Sequence, residues 1–161
     1  MNTGTLILSA IFIAICALPF ILTTTNSRKR KKQMLKSLTQ IAQKYNASIS
    51  KYDVGSDFII GLDEVKNLVL FFKKGIDNTI EECLDLSNYK DCNTIKTGKH
   101  LNAKSSAHAI ETLKLGFIPT DQTNVAPQFE FYNEDKNMQL SGELQIINTW
   151  QSLIHQKLTA A

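Results

Sequence analysis

Charged side chains are missing from the first 27 residues of this sequence. Within that part, Thr5 to Thr25 reads TLILSAIFIAICALPFILTTT, twenty-one residues in all. A helix rising about 1.5 Å per residue needs about 20 apolar residues to cross a hydrocarbon core of about 30 Å. The missing charge therefore predicts a transmembrane helix over residues 5–25. A buried helix of a soluble protein is disfavoured because it would usually show a polar face.

A basic N-terminus is also missing, and this argues against a cleaved secretory signal. Such a signal begins with positive charge and ends in a small-residue cleavage site. Here the first charged side chain is Arg28, which follows the apolar run. We therefore expect a retained anchor over residues 1–26, with a signal peptide as the alternative.

Acidic side chains are missing from residues 1–45, which carry seven Lys and Arg. By the positive-inside rule, this charge places residues 1–4 outside a cell membrane and the C-terminal part in the cytoplasm. Each cation near an anionic leaflet contributes about 1 kcal/mol of attraction. The lipid bilayer is thus a predicted partner through residues 5–25. The predicted membrane-interface residues are the five consecutive cations Arg28, Lys29, Arg30, Lys31 and Lys32.

Basic residues are outnumbered in the rest of the chain, where residues 46–161 carry eleven Lys against fifteen acids. Nucleic-acid binding requires a concentrated cationic surface, so this class of function is excluded. With seven Gly and three Pro the chain has few long flexible linkers. Three Cys, one of them in the predicted span, do not make a disulfide framework.

Catalytic, nucleotide-binding and zinc-binding motifs are missing as well. The sequence has no GxxxxGK[ST], GxGxxG or HExxH, and no Cys or His pairs at zinc-ligand spacing. We therefore expect no cofactor, no metal and no enzymatic activity. The alternative is an enzyme whose His and Cys meet only in the fold. The side chains considered as metal ligands are Cys83, Cys92, His100, His108, Glu81 and Glu82, and the cysteines and histidines among them are also the candidates for a nucleophilic pair. Lys73 and Lys74 are expected to form a solvated hairpin end.

A helix is predicted over residues 27–45, where Met34, Leu38, Ile41 and Tyr45 recur at a helical period. This apolar stripe packs either on the protein's own domain or in the membrane interface. From residue 49 the period changes to two, which predicts strands. The expected strands are residues 49–54, 57–62, 67–74, 91–97, 109–118 and 129–132, with residues 79–86 ambiguous and residues 97–108 a loop.

A second amphipathic helix is predicted over residues 143–158, with Ser141 as its N-cap and Trp150 as its buried anchor. Strands closed by such a helix resemble the pleckstrin-homology-like (PH-like) fold. The likeness covers residues 48–158. It is carried by FIIGLDEVKNLVLFFKK, IEECLDLSNYKDC, IETLKLGFI, FEFYNED and ELQIINTWQSLIHQKL.

The chain is similar to small bacterial membrane proteins of unknown function that carry such a domain behind a single N-terminal helix. The resemblance implies an α+β fold, a PH-like barrel or sandwich of six to seven strands over residues 46–161. It identifies no functional residue. The expected function is a membrane-tethered, non-enzymatic interaction domain that binds a protein or peptide at a groove or open sheet edge.

Overall fold

The computed structural model describes residues 27–75, 78–100, 108–121, 126–137 and 139–160. The predicted membrane span over residues 5–25 lies outside this part. Among the described residues, no helix combines the length and the apolar character needed to span a bilayer. The chain forms two compact units, Met1–Lys36 and Ser37–Ala161.

Helix α1 covers residues 27–44 and is followed by a turn in which Asn46 adopts a left-handed φ of 51°. The Ala47 N–H then donates to Ala42 O over 2.8 Å, a bond typical of helix C-termini. In the second unit, Leu38 and Ile41 are buried, and a Cβ on Gly61 would lie 2.7 Å from Leu38 Cδ2. The sequence left two alternatives for the apolar stripe, packing on the domain or lying in the membrane interface. This part of the stripe therefore packs on the domain.

The first sheet is an antiparallel meander of four strands. They are β1 (Lys51–Val54), β2 (Phe58–Asp63), β3 (Leu68–Lys74) and β4 (Thr79–Asp85). Every residue of β2 is buried, because α1 covers one face of the sheet and the protein core covers the other. The β2–β3 hairpin is closed by the Asp63 carboxylate, which accepts hydrogen bonds from the backbone N–H groups of Ser48, Val65 and Lys66.

The second sheet has the order β5-β6-β7 and follows a short 3-10 turn at Leu86–Asn88. Its strands are β5 (Tyr89–His100), β6 (His108–Pro119) and β7 (Gln128–Asn133). The loop predicted from residue 97 was wrong at its start and its end, since β5 continues to His100 and pairs with β6 from His108. The Thr97 and Thr112 hydroxyls bond each other within this extension.

Helix α2 (Glu143–Ala160) packs on the core that the inner faces of both sheets share. Trp150, Ile147 and Ile154 are buried, as the amphipathic pattern predicted for Trp150. The N-cap prediction at Ser141 was wrong: Gly142, at φ 96°, precedes the helix, and its carbonyl accepts from the Ile146 N–H.

The α+β class, the seven strands and the C-terminal helix are confirmed for the described residues. The closed-barrel version of the prediction was wrong. No ladder joins the two sheets in the described part of the chain, so each sheet ends in two edge strands. The two sheets are instead connected through side-chain contacts such as Lys73 with Glu130 and through the shared core on which α2 packs.

Candidate functional site

Strand β7 is an edge strand whose backbone is bonded by a lysine from the other sheet. Lys73 Nζ donates to Glu130 O and to Glu130 Oε1, both over 3.1 Å, and lies 3.4 Å from Asp57 Oδ2. Lys73 is only 1% exposed. The expectation that it belongs to a solvated hairpin end was wrong, whereas Lys74 is exposed.

Lys73, Asp57 and Glu130 together form the Lys73 cluster, an electrostatic contact between the two sheets. Burial raises the pKa of Glu130. Hydrogen bonds from Lys136, Asn133 and Lys73 outweigh burial and lower that pKa to about 2. The sequence signal for the burial of Lys73 was its position in the strand. Side chains two residues apart share a strand face, so Lys73 lies on the same face as Val69 and Phe71, which point into the core.

Helix α2 packs along the first half of β5 and reaches β1 through one side-chain hydrogen bond. Trp150 Nε1 donates to Asp53 Oδ2 on β1 over 2.8 Å. On β5, Gln151 Nε2 donates to Cys92 O over 3.4 Å. His155 Nδ1 lies 2.8 Å from Asp91 Oδ1.

The cysteines considered for an enzymatic site are held as thiols. Cys92 is fully buried, and desolvation with the nearby Asp91 charge raises its pKa to about 12. Burial and the Asp85 charge also raise the pKa of Cys83. A thiolate is the nucleophilic form, so neither side chain is activated. The predicted loop histidines His100 and His108 are instead register partners at the end of the β5–β6 ladder.

Strand β4 presents an open edge. Leu86 N donates to Asn67 O, and hydrogen-bonded pairs alternate along an antiparallel ladder. Following the register, Glu82 bonds to β3 while Glu81 and Cys83 direct their backbone N–H and C=O groups away from it. Within the described part of the chain, no hydrogen bond outside the ladder reaches these outward groups.

The side chains of β4 differ between its two faces. On the core face, Ile80 is 38% exposed, and Glu82 and Leu84 are half-buried. On the α1 face, Glu81 Oε2 lies 2.6 Å from Lys44 Nζ, an exposed ion pair. The core face of the edge therefore combines an apolar, an acidic and an apolar side chain in alternation.

The five predicted membrane-interface residues lie in the first turns of α1 and are all exposed. Successive helical residues are about 100° apart, so Arg28 to Lys32 surround the helix axis. A helix lying flat on a membrane would place its cations on one face. The five cations therefore do not form a one-sided basic face.

A metal centre finds no support among the described side chains, where no three His, Cys, Asp or Glu residues gather. Comparisons of the chain with family models, curated proteins and solved structures give no match. The candidate site is therefore the open β4 edge, on geometry alone. The sequence predicted a groove or open sheet edge as the binding site but did not identify β4 as that edge, because the order of strands in a sheet is a tertiary property.

Proposed function

We propose that this protein is a membrane-tethered, non-enzymatic interaction domain that binds an extended segment of a partner protein by adding it as a strand to β4. In this proposal the domain is PH-like and cytoplasmic. Residues 5–25 span the membrane, and the cations from Arg28 to Lys32 lie among the headgroups.

One observation carries the proposal: at a sheet edge, the backbone donors and acceptors of Glu81 and Cys83 have no partner among the described residues. Exposed edges of this kind pair readily with an extended peptide, which gains main-chain hydrogen bonds. Elsewhere Lys73 bonds the β7 backbone at Glu130 O, α2 contacts β1 through Trp150 and Asp53, and α2 packs on part of β5. The protonated Cys83 and Cys92 thiols support a binding role over nucleophilic catalysis.

The test is photo-crosslinking in intact cells, with a photoreactive amino acid placed at Thr79 on β4 or at Val65. Val65 is 88% exposed in the β2–β3 turn and serves as the control position. We expect a discrete protein adduct from Thr79 and none from Val65.

The matched variants are Cys83→Pro and Cys83→Val. Proline removes the outward N–H of Cys83 but no ladder hydrogen bond, and proline is tolerated on edge strands with this geometry. Cys83→Val keeps the N–H. The adduct should disappear with Cys83→Pro and persist with Cys83→Val. An adduct that survives Cys83→Pro would show that the partner binds elsewhere.

A further inference from the structure

The Glu82 carboxylate is half-buried at the open edge and, among the described residues, takes part in no hydrogen bond or ion pair. It lies on the core face of β4, because its register partner Phe71 points into the core. Ile80 and Leu84 flank it on the same face. Leu84 packs against the core, whereas Ile80 is partly exposed.

An aromatic residue, Tyr89, begins β5 a short turn after the end of β4. Tyr89 is half-buried and packs on Phe117, with ring centroids 5.6 Å apart. Burial, and after it the charges of Glu82 and Asp85, raise the pKa of Tyr89. Burial also raises the pKa of Glu82 itself, which reflects the cost of a charge that lacks a partner.

Among the described residues, two cations that face β4 lie on the side opposite Glu82. Lys44 pairs with Glu81, and Lys74 is the register partner of Thr79. Both belong to the α1 face of the sheet. Lys73, opposite Ile80, points to the core face but is held by Glu130 and Asp57. Glu82 thus keeps an uncompensated negative charge where an added strand would lie.

Building on the proposed function, we propose that the partner strand carries one Lys or Arg opposite Glu82, between two apolar residues opposite Ile80 and Leu84. The alternation of side chains across a strand gives the motif apolar-x-Lys/Arg-x-apolar. The cation pairs with the Glu82 carboxylate. The two apolar residues extend the core over Ile80 and Leu84.

A second copy of this chain does not fit this site. Pairing two β4 edges brings Glu81 and Glu82 of each copy together, and like charges opposite each other are destabilising. None of the other edge strands β1, β5 and β7 carries the motif in its sequence. The motif therefore describes a different polypeptide.

The experiment measures binding of two peptides to the full chain in zwitterionic detergent micelles. The probes are Thr-Val-Thr-Lys-Thr-Val-Thr and the same peptide with Glu at its centre, both with blocked ends. Affinity is measured by titration, and hydrogen–deuterium exchange reports which backbone amides become protected. We expect the Lys peptide to bind about fivefold more tightly than the Glu peptide and to protect the amides of Glu81 and Cys83.

Three variants separate the contributions. Glu82→Gln should remove the preference for the Lys peptide and leave the protection in place. Cys83→Pro should abolish binding of both peptides, and Cys83→Val should leave it unchanged. Sedimentation of the full chain reports self-association in parallel.

Each of the remaining outcomes overturns either the cationic motif or strand addition to β4. Equal binding of the two peptides, or a preference that survives Glu82→Gln, overturns the cationic motif while strand addition stands. Binding that survives Cys83→Pro, or no binding of either peptide, overturns strand addition of this motif to β4. Self-association that Cys83→Pro removes would make a second copy the occupant instead.

Discussion

At the residue scale, Lys73 and Lys74 are sequence neighbours in opposite environments. The Lys73 ammonium is buried between Asp57 and Glu130, and the Lys74 side chain is exposed. Removing one partner of a buried ion pair leaves a charge without compensation, which costs about 3–5 kcal/mol. Lys73→Met should therefore lower the free energy of unfolding by about 3 kcal/mol.

The matched control is Lys74→Met, which should change stability by no more than about 0.5 kcal/mol. Urea unfolding of a fragment spanning residues 27–161 measures both values. Similar effects for the two variants would mean that the ion cluster does not hold the sheets together.

Unlike the paired Lys73 ammonium, the Thr94 hydroxyl is buried without a hydrogen-bond partner among the described residues. A buried unsatisfied hydroxyl costs about 1–3 kcal/mol, and valine has nearly the same shape. Thr94→Val should therefore raise the free energy of unfolding by about 1 kcal/mol. The control is Thr97→Val, which breaks the hydroxyl pair with Thr112 and should not stabilise. A destabilised Thr94→Val protein would contradict the unsatisfied hydroxyl.

At the element scale, Trp150 is the residue that anchors α2 to the protein core. Its ring is 1% exposed, and its Nε1–H donates to Asp53 on the β1 edge. Large-to-small changes in a core cost about 3–5 kcal/mol, and Trp150→Ala should do so here. The exposed Ser152→Ala, two residues further along α2, is the control and should be nearly neutral. Thermal unfolding of the same fragment gives both values, and equal midpoints would refute the role of Trp150 as anchor.

At the scale of the whole molecule, acid stability depends on Glu130. Its pKa falls from an ordinary value of 4.5 to about 2 in the folded protein. A group with a lowered folded pKa stabilises the protein fully above its unfolded pKa and loses that effect as the pH falls through the folded one. The Glu130 contribution is therefore present above about pH 4.5 and is lost towards pH 2.

Glu130→Gln should make the protein less stable at pH 7 but flatten the loss of stability between pH 4.5 and pH 2. Urea midpoints across this range measure the effect. The exposed Glu134→Gln is the control and should keep the slope of the unmodified protein. An unchanged slope in Glu130→Gln would place the acid sensitivity in other carboxylates.

Topology is the second prediction for the whole molecule. With Cys16 and Cys83 replaced and the buried Cys92 retained, a reporter cysteine at Asn2 should react with a membrane-impermeant reagent in intact cells. A reporter cysteine at the exposed Val65 should react only after lysis, because the positive-inside rule predicts that the cations at 28–32 hold the domain on the cytoplasmic side. The reverse pattern would contradict the proposed cytoplasmic location.

The sequence by itself determined the features that depend on local periodicity. The density of β-branched and aromatic residues in FIIGL and LVLFF sufficed to predict β2 and β3. The helical spacing of apolar residues around Trp150 sufficed to predict α2. The Arg28 to Lys32 run and its exposure likewise needed only the order of residues.

The tertiary structure alone decided which edges close and which stay open. Lys73 and Glu130 are 57 residues apart, and Trp150 and Asp53 are 97 residues apart, so no local pattern relates them. The exposure of a strand edge depends on which distant element packs beside it. For this reason Glu82, one of two adjacent glutamates in the sequence, becomes the unpaired charge at the β4 edge only in the folded chain.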